Sequence, residues 1–204
     1  QIKALGGVGL SIEQGEFISI SGPSGSGKTT FLNMVGGLDQ PNSGTITLSG
    51  RELVGLKESV LSQIRLHEIG FIFQAYNLIP VLTAMENMEY ILMLQGVSRA
   101  ERHDRVRSVA ASLEIEDLLH KRPHEMSGGQ QQRVAVARAV VSKPNLVLAD
   151  EPTANLDSKR AERLMTLMQQ LNDQFQITFL FSTHDSRVME KSKRNIKLQD
   201  GVVV

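Results

Sequence analysis

The chain has 204 residues, with 22 Lys and Arg set against 22 Asp and Glu, and no cysteine. That length suffices for one sizeable domain, and the balanced charge gives no overall electrostatic case for a nucleic-acid or anionic-membrane partner. Disulfides and thiolate metal sites are excluded, and no run reaches the roughly 18 to 20 apolar residues of a membrane span. The chain opens on Gln1-Ile2-Lys3 without Met and runs almost directly into a strand, which points to a segment preceding it.

In chain order, short apolar or alternating stretches from 4 to 20 and from 45 to 73 read as strands. Turn signals at Gln14-Gly15, Pro41-Asn42-Ser43-Gly44 and Ser49-Gly50 punctuate them. Residues 29–35 read as a helix that Gly36 and Gly37 can end, and 53–66 carry Leu53, Leu56, Val60, Leu61 and Ile64 near helical spacing. Residues 83–94 and 99–119 are rich in helix formers and form an inserted helical subdomain, with Gly96 between them. Ser127 caps a further helix, which Pro144 stops.

Residues 146–149 are continuously apolar, the pattern of a strand buried on both faces, and end in Asp150-Glu151. A helix over 159–172 leads to a second buried strand, 177–181, which ends at Thr183-His184-Asp185. Residues 196–198 and 202–204 flank Asp200-Gly201 as an edge hairpin. Strands alternating with helices imply a parallel sheet, with ligands at the carboxyl edge of its strands.

Between the strand at 16–20 and its following helix lies Gly22-Pro23-Ser24-Gly25-Ser26-Gly27-Lys28-Thr29-Thr30, which fits the phosphate-loop pattern. Backbone N–H groups of such a loop and of the helix start converge on phosphate oxygens. Lys28 is placed for the outer phosphates, Thr29 for a magnesium ion and Thr30 for an inner phosphate. Asp150 is the candidate metal partner, through water, and Glu151 the candidate general base for in-line attack by water. His184 ends the next strand, so its ring would face the same edge and the outer phosphate. His67, His103, His120 and His124 show no ligand spacing and read as solvent-facing. Paired glycines in Ser127-Gly128-Gly129-Gln130 cost a helix start about 1 kcal/mol each relative to alanine, which close approach to an anion would justify.

These motifs resemble, in order and over essentially the whole chain, the ATP-binding cassette ATPases of ABC transporters. The resemblance identifies Gly22 to Thr29 as the Walker A loop, Gln74 as the Q-loop and Met126-Ser127-Gly128-Gly129-Gln130 as the signature. It identifies Leu146 to Asp150 as Walker B, with Glu151 as base, Ala154-Asn155-Leu156-Asp157 as the D-loop and His184 as the H-loop. It implies an α/β, RecA-like P-loop core over 1–75 and 144–204, an antiparallel β subdomain, and a helical subdomain over about 76–143.

It further implies ATP and Mg2+ as cofactors, with Gln74 joining Thr29 and Asp150 around the metal, and Lys28, Gln74, Glu151 and His184 in catalysis. Two copies, or a copy and a homologous subunit, would face head to tail. Ser127, Gly128, Gly129 and Gln130 of one would then close over the other's ATP, and Asp157 would communicate across the interface. Ala4-Leu5, Gly36-Gly37-Leu38-Asp39 and residues 73–80, 83–87 and 148–157 are similar to the lipoprotein-release, macrolide-efflux and FtsE-like branch. That branch implies an integral membrane permease as partner, with Tyr76-Asn77-Leu78 facing its coupling helix, a location on the cytoplasmic face of the inner membrane, and no nucleic acid. Met126 stands where the family has Leu, and no aromatic precedes Phe17, upstream of which the family stacks the adenine ring. A soluble ATPase of the same type and an ATP-gated regulatory switch are the alternatives; an intact base at Glu151 argues for turnover.

Overall fold

The computed structural model describes residues 4–204, so the reading of the start at Gln1–Lys3 lies outside the described residues. The strand β1 (Phe17–Ser21) is buried at every position and leads through the phosphate loop into α1 (Lys28–Val35). A two-stranded antiparallel hairpin, β2 (Thr47–Leu48) and β3 (Arg51–Glu52), precedes α2 (Glu58–Glu68) and β4 (Ile69–Ile72). Three helices follow, α3 (Ala84–Leu94), α4 (Arg99–Ser112) and α5 (Gly128–Val140). The chain then alternates through β5 (Leu146–Asp150), α6 (Ser158–Phe175), β6 (Thr178–Thr183) and α7 (Ser186–Lys191), and ends in β7 (Arg194–Gln199) and β8 (Val202–Val203).

The main sheet runs β4-β5-β6-β1-β7-β8 and is parallel except for β8, which returns antiparallel to β7. Strand alternation sorts its side chains onto two covered faces. Val147, Ala149, Phe179 and Phe181 join α5 and α6 residues such as Val136 and Leu164. Leu146, Leu148 and Leu180 join Phe31 and Leu32 of α1 and Leu61 and Ile64 of α2. Burial on both faces is why β5 and β6 read as unbroken apolar runs. Phe17 packs between Phe179 and Phe181, its ring centroid 5.6 and 4.6 Å from theirs, in tilted pairs.

The helices α3 and α4 reach this sheet through α5, whose end lies directly on β4. A Cβ on Gly70 would stand 2.3 Å from the carbonyl oxygen of Ala139, so only glycine lets helix and strand approach this closely. One apolar cluster therefore runs from Met88 and Leu92 of α3 and Val106 of α4 to the sheet.

Three sequence expectations are corrected. Residues 4–16 form no strand, and the antiparallel part outside the main sheet is the β2–β3 hairpin alone among the described residues. The helix expected over 53–66 starts at Glu58, because Leu53 N–H still donates to Ile46 O (2.8 Å) and Gly55 has φ 79°. The helix expected over 99–119 ends at Ser112: Glu114 turns left-handed (φ 55°), and the N–H groups of Ile115 and Glu114 donate back to Ala110 O and Ala111 O. That is a Schellman closure with Glu where Gly is usual. The short helix α7, capped by Asp185, was not foreseen.

Candidate functional site

Register brings the predicted site residues to one edge. Ser21 pairs with Thr183, Ile72 with Ala149 and Asp150 with Ser182, so Gly22, Gln74, Glu151 and His184 all leave the carboxyl ends of adjacent strands.

The phosphate loop is wound by left-handed Gly25 (φ 80°) and Gly27 (φ 100°), and Gly27, the N-cap of α1, offers no side-chain cap. Its first N–H groups therefore face the loop without a side-chain partner, as an anion cradle requires. Lys28 is buried and lies across the loop, Nζ donating to Gly22 O (2.8 Å) and Pro23 O (3.1 Å). The chain ends close the loop from behind: Gly201 N–H donates to Ser26 O (3.1 Å), and Gly6 N–H donates to Gly201 O (2.6 Å). Gly22 is the tightest position, since a Cβ there would stand 2.0 Å from Leu198 O and 2.8 Å from Ser26 Oγ. Gly22→Ala is therefore expected to displace the loop. Isothermal titration should show ATP affinity falling by more than about tenfold, with thermal unfolding recording a loss of about 1–3 kcal/mol for overpacking.

The hydroxyl of Thr29 donates to the Asp150 carboxylate, at 3.0 Å to Oδ2 and 3.3 Å to Oδ1, and Ser182 Oγ also bonds Asp150 Oδ1. A hydroxyl and a carboxylate in contact beside a phosphate cradle fit a hard, oxygen-seeking cation that takes its remaining ligands from phosphate and water. Among the described residues no group of three or more His, Asp or Glu could hold a metal unaided. Gln74 is exposed just past β4, its carbonyl accepting from Asn155 Nδ2 (2.9 Å).

Glu151 is left-handed (φ 47°), and its N–H donates to Ser182 O (3.0 Å). This turn aims its side chain at His184: Oε1 lies 2.8 Å from Nδ1, while Oε2 is buried and bonded to nothing. The carboxylate is 14% exposed and the imidazole 70%, so the dyad has a sheltered acceptor and an open outer ring. Next to it Arg187 grips Asp185 by three hydrogen bonds of 2.7–3.1 Å from its guanidinium, and Thr153 adds a fourth. Those Arg187 hydrogen bonds, outweighing burial, hold the Asp185 carboxyl below its ordinary value.

Ser127 and Gln130 form a capping box at the start of α5, with Ser127 N–H donating to Gln130 Oε1 (2.9 Å) and Gln130 N–H to Ser127 Oγ (3.4 Å). Among the described residues no hydrogen bond joins 127–130 to the loop at 22–30. A Cβ on Gly128 would stand 3.0 Å from Tyr76 Oη, whereas at Gly129 the nearest atom is 3.4 Å away. Asp157 caps α6, accepting from Arg160 N–H (2.9 Å).

Sequence reasoning missed Gln132, Arg138 and the role of Asn155, all of which bind backbone carbonyls. Gln132, buried, donates to Pro152 O (2.8 Å), one residue past Glu151. His103, read as solvent-facing, is half-buried and lies 3.1 Å from Glu89. A cavity of about 1070 Å³ lies between 4–14 and 41–50, lined by Leu5, Val8, Phe31 and Ile46, and holds none of the predicted site residues.

The family model described as ABC transporter matches residues 5–154. The chain belongs to the ABC transporter family. It is 46% identical over 195 residues to the lipoprotein-releasing system ATP-binding protein LolD 1 of Chlorobium chlorochromatii, covering 95% of this chain and 79% of that protein. It is 40% identical over 205 residues to the macrolide export ATP-binding/permease protein MacB of Bdellovibrio bacteriovorus, spanning 31% of that longer protein.

Among solved structures, a dimeric post-hydrolysis state of the ATP-binding cassette MJ0796 bound to ADP and Pi superposes with a TM-score of 0.90. Identity there is 44%, over 98% of this chain and 88% of that one. MJ0796 belongs to Methanocaldococcus jannaschii. The chain is thus a nucleotide-binding ABC ATPase. Among the described residues no helix is long and apolar enough to cross a membrane.

Proposed function

We propose that two copies of this chain bind ATP head to tail, each nucleotide held between Gly22–Thr30 of one and Ser127–Gln130 of the other. The observation that carries this reading is the chain's separation of its two anion-directed helix starts. The phosphate loop shares an edge with Asp150, Glu151 and His184, while the capped start of α5 makes no hydrogen bond to it among the described residues. A second copy supplies the missing half.

In this reading the loop N–H groups and Lys28 bind the phosphates, Lys28 exchanging its carbonyl partners for phosphate oxygens. Thr29 and Asp150, joined by Gln74, would hold Mg2+, which when bound neutralises phosphate charge. Glu151 takes the proton of the attacking water, and its free, sheltered Oε2 supports that role. His184 orients Glu151 and turns its outer nitrogen to the terminal phosphate. Asp157 communicates across the dimer interface.

Residues 76–143 act as a helical arm on a core of 1–75 and 144–204. Its permease partner would dock near Val81, Tyr90, Met93 and Leu94, large apolar side chains exposed at and before α3; the last three stand at helical spacing. Such a partner sets the substrate and holds the chain at the cytoplasmic face of the membrane. The relatives LolD and MacB, named for lipoprotein release and macrolide export, support an efflux or extraction system.

The reading predicts that ATP turnover per chain rises with protein concentration until dimers saturate. A steady-state ATPase titration checks this, and a specific activity constant from nanomolar to micromolar protein would refute it.

A further inference from the structure

Just past Gln74 the backbone makes two successive left-handed steps at residues other than glycine, Tyr76 (φ 60°) and Asn77 (φ 49°). Such a pair persists only where its surroundings over-determine it. Local hydrogen bonds contribute, Tyr76 N–H to Phe73 O (3.1 Å) and Asn77 N–H to Ala75 O (2.6 Å). The long-range restraint is Arg138 of α5, whose Nη2 donates to Tyr76 O (2.9 Å) and whose Nη1 donates to Asn77 O.

The same guanidinium thus binds two consecutive carbonyls, each through its own nitrogen of a rigid planar fork, a geometry that the single nitrogen of a lysine does not reproduce. Among the described residues Arg138 has no carboxylate partner, although burial pushes its pKa below the ordinary value. A half-buried cation without a counter-ion is explained by the loop it holds. The grip is reinforced at the other end of the helix, where Tyr76 Oη fills the space beside Gly128, and across the site, where Asn155 holds the Gln74 carbonyl.

We propose that Arg138 is a positioning residue that acts through Gln74: its fork fixes the 74–77 loop to α5, so that Gln74 and the Ser127 end of that helix move as one unit. The inference rests on the roles of Gln74 and Ser127 proposed above. It adds that these two depend on a side chain whose hydrogen bonds go to the loop backbone at Tyr76 and Asn77.

The chain contains no cysteine, so Ala75→Cys gives a single, exposed site for a spin label inside the loop. Arg138→Ala should raise label mobility there and lower kcat by about tenfold or more, while ATP binding to the phosphate loop stays within about twofold. Arg138→Lys, which keeps charge and most of the volume, should restore stability but not kcat. In the Gln74→Ala background, Arg138→Ala should change kcat by less than about twofold, because the residue through which it acts is gone. Unchanged label mobility, or Arg138 and Gln74 effects that multiply, would overturn the proposal. A wild-type kcat in Gln74→Ala alone would instead remove the Gln74 role, and with it the route assigned to Arg138.

Discussion

Glu151→Gln lowers ATP turnover by about 10²–10⁴-fold, the range for loss of a general base, and leaves an ATP-bound dimer that does not resolve. The size of the effect follows from the local geometry. Glu151 is the residue immediately after β5, and its left-handed turn and bond to Ser182 O point the carboxylate at the shared edge. One oxygen faces His184 at 2.8 Å, and the other is sheltered and unbonded. The amide keeps the shape and the contact to His184 but cannot accept a proton from water. Nucleotide binding is therefore retained, because Lys28, Thr29 and the loop glycines are untouched. Single-turnover kinetics with size-exclusion light scattering checks both halves. Turnover at the unmodified rate would show that another group takes the proton.

The second large effect is expected at Ser127→Arg, which abolishes ATP-dependent dimerisation and turnover while ATP binding to the isolated chain survives. Two consequences of this substitution have to be separated. Ser127 caps α5 with Gln130, and loss of such a cap costs about 1 kcal/mol. Ser127→Ala also loses the cap but adds no bulk or charge to an exposed helix start. It should lower the melting temperature by a few degrees and still dimerise. If alanine and arginine were equally defective in dimerisation, the cap would be the cause and the proposed composite site would lose its support.

Much of this was legible in the sequence, for a physical reason. The phosphate loop is local, its glycines and Lys28 lying within nine residues from Gly22 to Thr30. Asp150 ends a strand buried on both faces, Glu151 and His184 follow such strands, and parallel strands carry their carboxyl ends to one edge. Ser127 announces itself because a capping box is written in four consecutive residues.

What escaped depends on partners distant in the chain or on unusual backbone. Arg138 binds carbonyls of Tyr76 and Asn77, and Asn155 the carbonyl of Gln74; a carbonyl oxygen carries no residue-type signal. The end of α4 was hidden because its left-handed residue is Glu114 and not glycine. Strands expected before Phe17 did not form among residues 4–16, whose alternation is real but whose backbone joins no sheet ladder.

The central claim, that each ATP is held by two chains, is tested most directly by mixing two inactive variants. A Lys28→Ala chain has a failed phosphate loop and an intact α5 start, and a Ser127→Arg chain has the reverse. A dimer of one with the other holds one intact composite site, formed by the loop of the Ser127→Arg chain and the helix start of the Lys28→Ala chain. Random pairing should then recover up to roughly a quarter of wild-type ATPase activity from two preparations that are each inactive. If the mixture gains nothing over its separate components, or if Ser127→Arg alone turns over ATP at the wild-type rate, the head-to-tail account is contradicted.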